Sequence, residues 1–185
     1  MKVEYSGIPT FAPEHFAIVE QIDSLKRKQF DKGINQIAQE GAIQMFFLPG
    51  AGMERVYVGV VGVLQFDVLK FRMESEYGVT YNRIDTPLSL VRFVETTDGG
   101  DLNDLNLMSA TKHVVDRKGR DLLLFTAEYE INWALDKNKN IVLNSASTVV
   151  DAGKAKMYNR NFGEFFNNQI QSAGTVILSR TQLTD

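Results

Sequence analysis

The chain has 185 residues, 44% of them apolar, and a formal charge of −3, which suits one ordinary domain, or one domain with an appendage, and excludes the strongly basic class that coats nucleic acid. It has no cysteine and two histidines, which excludes disulfides, thiol catalysis and thiolate metal sites and argues against a histidine-rich metal cluster. No window approaches the roughly 18 uninterrupted apolar residues of a membrane span, and the start lacks a basic-then-apolar secretory pattern, so a cytoplasmic protein with no membrane partner and no cofactor is expected.

Residues 1–13 carry Pro9 and Pro13 around Phe11 and read as an extended lead-in. His15 to Ile22 alternates as a first strand. Asp23 or Ser24 then caps a helix running to about Glu40, with Phe30, Ile34, Ile37 and Ala38 on its apolar face and Gly41 at its stop. Ala42 to Leu48 and Arg55 to Val60 are an antiparallel pair joined by the turn Pro49 to Gly52. Beyond Gly62 the apolar period changes from strand to helix. Leu64, Val68 and Phe71 recur at helical spacing, Phe66, Leu69, Met73 and Tyr77 are expected to widen the same stripe, and Gly78 is placed to end the helix in the left-handed conformation.

Thr80 to Ile84 adds a fourth strand, which completes the order βαββαβ of the split βαβ, ferredoxin-like arrangement. Leu88 to Glu95 is one more strand, and residues 96–104 are a polar connection. Met108 to Val115 and Asp121 to Phe125 form a hairpin through 116–119, and Thr126 can cap a helix over 127–138 that carries Trp133, expected in the core. From Ser147 the pattern is strand, helix, strand: Thr148 to Asp151, then a stripe of Phe162, Phe165, Phe166, Ile170 and Ala173 ended by Gly174, then Val176 to Leu178. The expected class is α+β, with residues 14–146 as the main domain and 147–185 as a βαβ-like tail that docks, dimerises or remains disordered because it cannot bury its apolar side chains alone.

The stretch GVVGVLQFDVLKFRMESEYGV (59–79), with the run from Ser6 to Phe46 and the run from Leu105 to Leu135, resembles the C-terminal, third domain of the bacterial release-factor-3 family of translational GTPases. The resemblance implies an α+β module that contacts the ribosome in translation termination and the recycling of class I release factors. It also implies that GTP hydrolysis belongs to GTPase and β-barrel domains that this sequence lacks. Residues 148–182 are similar to an internal piece of the metal-chaperone GTPases of the CobW type, where Asp151 matches a metal-associated aspartate and Ser179, Arg180 and Gln182 match a guanine-reading motif.

No GxxxxGK[ST] phosphate loop occurs, and Pro49-Gly50-Ala51-Gly52 reads as a hairpin turn, so neither nucleotide binding nor catalysis is expected of the chain itself. His15, His113, Asp67 and Glu74 suggest no acid–base dyad, and Glu74 reads as a surface partner of Lys70. Two basic groups remain as candidates for contacts with ribosomal RNA: Lys26, Arg27, Lys28 and Lys32 on the first helix, and Arg117, Lys118 and Arg120, with Lys112, on the hairpin. Each has a plain reading as a solvated face and a functional one as a phosphate-contacting patch. Two further readings of the chain stay open: half of a GTPase assembled in trans, and a ferredoxin-like module for oligomerisation or small-ligand binding.

Overall fold

The computed structural model describes residues 11–142, 147–171 and 175–183. The chain divides into two compact units, Met1–Ile141 and Val142–Asp185.

The first unit opens with β1 (His15–Gln21), α1 (Arg27–Gln39), β2 (Gln44–Phe47), β3 (Arg55–Val60), α2 (Leu64–Tyr77) and β4 (Tyr81–Asp85), the βαββαβ order. It continues with β5 (Leu90–Phe93), β6 (Lys112–Asp116), β7 (Asp121–Phe125) and α3 (Glu128–Lys137). All the strands join one seven-stranded sheet in the order β4-β1-β3-β2-β6-β7-β5, and every pairing in it is antiparallel. The first four strands make the ferredoxin-like half. Among the described residues, the β6–β7–β5 half is paired to it in the sheet at Phe46 with Asp116 and Phe47 with Val115.

Strand alternation sorts the core into layers. Ala17, Val19, Met45, Val56, Val58 and Val60 face Phe30, Ile34 and Ile37 of α1 and Phe66, Leu69 and Met73 of α2. Their neighbours Phe16, Ile18, Phe46 and Tyr57 point the other way, onto Leu88, Val114, Leu122 and Leu124. The sheet therefore curls over itself, so its two halves share a core. Leu123 and Phe125 face outward again, against Val94, Leu105, Ala134 and Ile141.

Asp23 accepts a hydrogen bond from the Leu25 amide but caps a 3-10 turn over Ser24–Lys26, so the α-helix proper starts later than its cap suggests. Gly78 ends α2 at φ 63°, and the amides of Gly78 and Val79 bond the carbonyls of Glu74 and Met73. Gly33 lets the two helices close: a Cβ built there would meet Tyr77 Cγ at 2.8 Å and Met73 Sδ at 2.9 Å.

The expectation of a single wide apolar stripe on α2 is corrected. Phe66, Leu69 and Met73 are buried, whereas Leu64, Val68 and Phe71 are 73%, 49% and 70% exposed. At about 100° per residue the two sets lie on opposite faces of the helix, and only the inner face meets the sheet. Replacing Leu64 and Phe71 together by serine is accordingly expected to change stability by no more than about 0.5 kcal/mol per site. A urea melt showing a loss several times larger would mean that the outer stripe is packed in solution. Trp133 is also only half-buried, and the core under α3 is made by Ala134 and its aliphatic neighbours.

In the second unit β8 (Ser147–Asp151) runs parallel to β9 (Thr175–Ser179), with Val149 opposite Ile177, and α4 (Ala155–Gln171) connects them. The strand–helix–strand reading holds here as local topology. Phe162 departs from helical geometry (φ −132°, ψ 32°) and is exposed, so it does not belong to a buried stripe. Phe166 is half-buried near the Tyr158 ring. Pro9, Ala173 and Gly174, and the side chain of Phe165, lie outside the described residues.

Candidate nucleic-acid interface

The first basic group divides when its partners are traced. Lys26 Nζ donates to the Gly78 carbonyl at 2.7 Å, a cation at the C-terminal end of α2 where the helix dipole favours it. Arg27 pairs with Glu54 at 2.6 Å and reaches Asp31 at 3.8 Å. Lys28 and Lys32 are exposed, one turn apart on α1, and have no hydrogen-bond or ion-pair partner among the described residues.

The hairpin group divides the same way. Arg120 is locked to Asp116 (2.6 and 2.8 Å) and its guanidinium lies 4.3 Å from the centre of the Phe93 ring. Burial alone would push the Asp116 carboxyl up. The Arg120 amide and guanidinium and the Lys118 amide outweigh that and hold it below the usual carboxylate range. Lys112 Nζ donates to the Ser109 carbonyl at 2.7 Å. The side chains of Arg117 and Lys118 project from the turn with no partner among the described residues. Four of the eight candidate cations, Lys26, Arg27, Lys112 and Arg120, thus have internal partners, and Lys28, Lys32, Arg117 and Lys118 are free to take an external anion.

Beside the second free pair is a cavity of about 350 Å³ that no residue pattern announced. Its wall follows from the weak joint in the sheet. Beyond the two residue pairs that join β2 to β6, the start of β2 has no strand neighbour on that side among the described residues, and the space is lined by Ile43, Met45, Phe46, Val91 and Leu122. Phe11 and Phe93 stand at it 80% and 61% exposed, next to Arg117, Lys118 and Arg120. The lead-in is anchored here, since Gln44 Nε2 donates to the Phe11 carbonyl at 2.7 Å and Pro13 is packed over Gly59.

The acid–base candidates do not converge. His113 Nε2 is 2.7 Å from Asp121 Oδ1 across the hairpin, and its buried Nδ1 has no partner among the described residues. The expected Lys70–Glu74 pair is replaced by Arg72, which bonds Glu76 at 2.7 Å and also Glu40, because Arg72 points along the flank of α2 that α1 approaches. Those carboxylates in turn raise the Arg72 pKa above its ordinary value. Among the described residues no group of three or more metal-ligating side chains occurs, and no helix is long and apolar enough to cross a membrane. Pro49 to Gly52 is the turn between β2 and β3, closed by the Ala51 amide on the Leu48 carbonyl at 3.0 Å.

These features define an α+β, ferredoxin-like domain that presents free cations and a cation-rimmed apolar cavity. The sequence pattern described as "Class II release factor RF3, C-terminal domain" matches residues 5–135, and the chain belongs to that family. Among similar proteins are the peptide chain release factor 3 of Symbiobacterium thermophilum (37% identical over 147 residues, 78% of this chain and 27% of that protein). Those of Trichodesmium erythraeum (35% over 151 residues, 80% and 27%) and Listeria welshimeri (38% over 145 residues, 78% and 27%) match to the same extent. The chain spans about a quarter of the length of these relatives, the part that holds the C-terminal domain and not a GTPase domain. The CobW-type resemblance of residues 147–185 has no counterpart in these matches.

Proposed function

We propose that this chain is the ribosome-contacting C-terminal module of a translation termination factor of the release-factor-3 kind, acting in the cytoplasm with GTPase and β-barrel domains supplied elsewhere. Membership of the C-terminal-domain family carries the reading. The free cations Lys28, Lys32, Arg117 and Lys118 support it, because phosphate contacts need side chains not already spent on internal pairs. Lys26, Arg27 and Arg120 contribute by fixing α1 and the hairpin rather than by binding. For residues 147–185, the parallel β8–α4–β9 topology is compatible with a fragment of CobW-type ancestry, with Asp151 at the end of β8 paired at 3.3 Å to Arg180 just after β9.

Co-sedimentation with ribosomes over a salt series tests the reading. The double reversal Lys28→Glu/Lys32→Glu should reduce the slope of log affinity against log salt by about two, one unit per phosphate contact. Reversing Lys26 or Arg27 should instead lower the melting temperature. Unchanged ribosome binding by the Lys28/Lys32 variant would leave α1 a solvated face, and no co-sedimentation of the parent chain would overturn the proposal.

A further inference from the structure

We propose that the cavity between β2 and the β6–β7 hairpin takes one unstacked nucleotide of single-stranded RNA, its base against the Phe93 ring and its flanking phosphates at Arg117 and Lys118. This rests on the RNA-contact reading above and adds what that reading does not contain, a pocket for a base.

Size is the first constraint. At about 350 Å³ the cavity is at the lower end of ligand sites, which run from about 300 to 1,000 Å³, so it suits a single planar ring system and not an extended cofactor. Charge is the second. Asp116, whose carboxylate lines the cavity, is consumed by Arg120 and by the Lys118 amide at 2.8 Å, while the Arg117 and Lys118 side chains have no partner among the described residues. The mouth is therefore complementary to anions.

Shape decides between anionic partners. Phe11 and Phe93 keep their rings largely exposed beside those cations, so a face of each is available to a ligand. Phe93 is held by the Arg120 guanidinium, itself anchored on Asp116, so the ring is oriented before anything binds. An oriented aromatic ring beside an arginine plane and two free cations is the surface on which unstacked bases are received, whereas a duplex keeps its bases out of reach. Gln44 supplies specificity. Its Nε2 is committed to the Phe11 carbonyl, and its Oε1, free of any hydrogen bond among the described residues, can accept from an exocyclic amino group. An acidic peptide would answer the charges but would leave the pre-oriented ring and guanidinium plane without a use.

Fluorescence anisotropy with the full chain tests this, using labelled decamers of adenosine and of uridine, a blunt RNA duplex of equal length, and a decapeptide alternating aspartate and phenylalanine. The single strands should bind, adenosine, which has an exocyclic amino group, more tightly than uridine, which has none, and the duplex at least about tenfold weaker than either. Phe93→Ala should weaken single-strand binding about tenfold, the effect of one stacked base, without altering the salt slope. Phe93→Trp should restore binding, and Arg117→Glu/Lys118→Glu should lower the slope by about 1.4, at 0.7 for each single-strand phosphate. Equal binding of duplex and single strands, no effect of Phe93→Ala, or binding of the peptide but not the RNA would each overturn the pocket. Ribosome co-sedimentation of the Lys28→Glu/Lys32→Glu chain is read separately, so the pocket can fail while the ribosome-contacting role stands, and the reverse.

Discussion

Replacing Glu130 by alanine is expected to destabilise the first unit by about 3 kcal/mol, out of proportion to a carboxylate in the first turn of a helix. Glu130 is 1% exposed. Its Oε2 accepts from the Thr126 amide at 3.0 Å and the Thr111 hydroxyl at 3.2 Å, and its Oε1 accepts from the Thr126 hydroxyl. Thr111 precedes β6 and Thr126 follows β7, so one side chain ties the ends of both hairpin strands to α3. Truncation would leave a backbone amide and two hydroxyls without their acceptor, one of them on a buried residue.

Burial alone would raise the pKa of this carboxyl, but the Thr126 hydroxyl and amide and the Thr111 hydroxyl outweigh it and hold it below the ordinary glutamate value. A depressed folded-state pKa means stability that is fully present above the unfolded value, about 4.3, and lost as the pH falls through the lower folded one. Glu130→Gln keeps the shape but swaps an acceptor for a donor. Its remaining oxygen can still accept from the Thr126 amide and its NH2 can face the Thr126 hydroxyl, which reverses its role, so what the variant removes is the charge behind those hydrogen bonds. Urea unfolding across a pH series should show parent and glutamine variant separated at neutral pH and converging in acid. A separation that persists below the folded-state pKa would mean the carboxylate charge is not what the hairpin depends on.

The elements up to β4 were legible because each rests on local signals: period-2 runs, a change to helical period after Gly62, and Gly78 at a helix end. What the sequence could not show was which apolar face meets the sheet. On α2 the positions of Leu64, Val68 and Phe71 and those of Phe66, Leu69 and Met73 are equally apolar and opposite, so their periodic signals nearly cancel. The inner set is the one that meets the sheet and, through Gly33, α1. A glycine inside a helix carries no period of its own and acquires meaning only when Met73 and Tyr77 are found against it.

The basic groups were visible as composition, but their division was not. Lys26 is spent on a carbonyl 52 residues away, and Arg27 on Glu54 in the next hairpin, contacts set by tertiary placement. The cavity was invisible for the same reason, since it exists where β2 meets β6, strands separated by more than 60 residues of chain. Phe93 offered only a weak hint, an aromatic on the outward register of a strand.

A chain ended after Ile141 is expected to fold and melt as the full chain does, while one ended after Lys137 should lose about 4 kcal/mol. The difference between them is four residues, two of which close the α3 layer. Asn138 is 6% exposed and exchanges two hydrogen bonds with the backbone of Asn106, its Oδ1 accepting from the amide at 2.7 Å and its Nδ2 donating to the carbonyl at 2.9 Å. Its Nδ2 also donates to the Ala134 carbonyl at 2.7 Å, near the end of α3, so the connection before β6 and the helix end are held by one amide. Ile141 is 8% exposed against Val94, Leu105 and Phe125. Removing its side chain from that cluster forfeits about 1.5 to 3 kcal/mol, and the three lost Asn138 side-chain hydrogen bonds, one of them to the carbonyl of buried Ala134, bring the total to the stated figure. The second unit has its own strand pairing and its own helix, which is why its removal alone should leave the first melt in place. Calorimetry on the three chains checks both arms. A 1–141 chain that melts many degrees lower would show that residues 142–185 complete the first core, and a 1–137 chain that melts unchanged would show that the Asn138 and Ile141 contacts do not hold that layer.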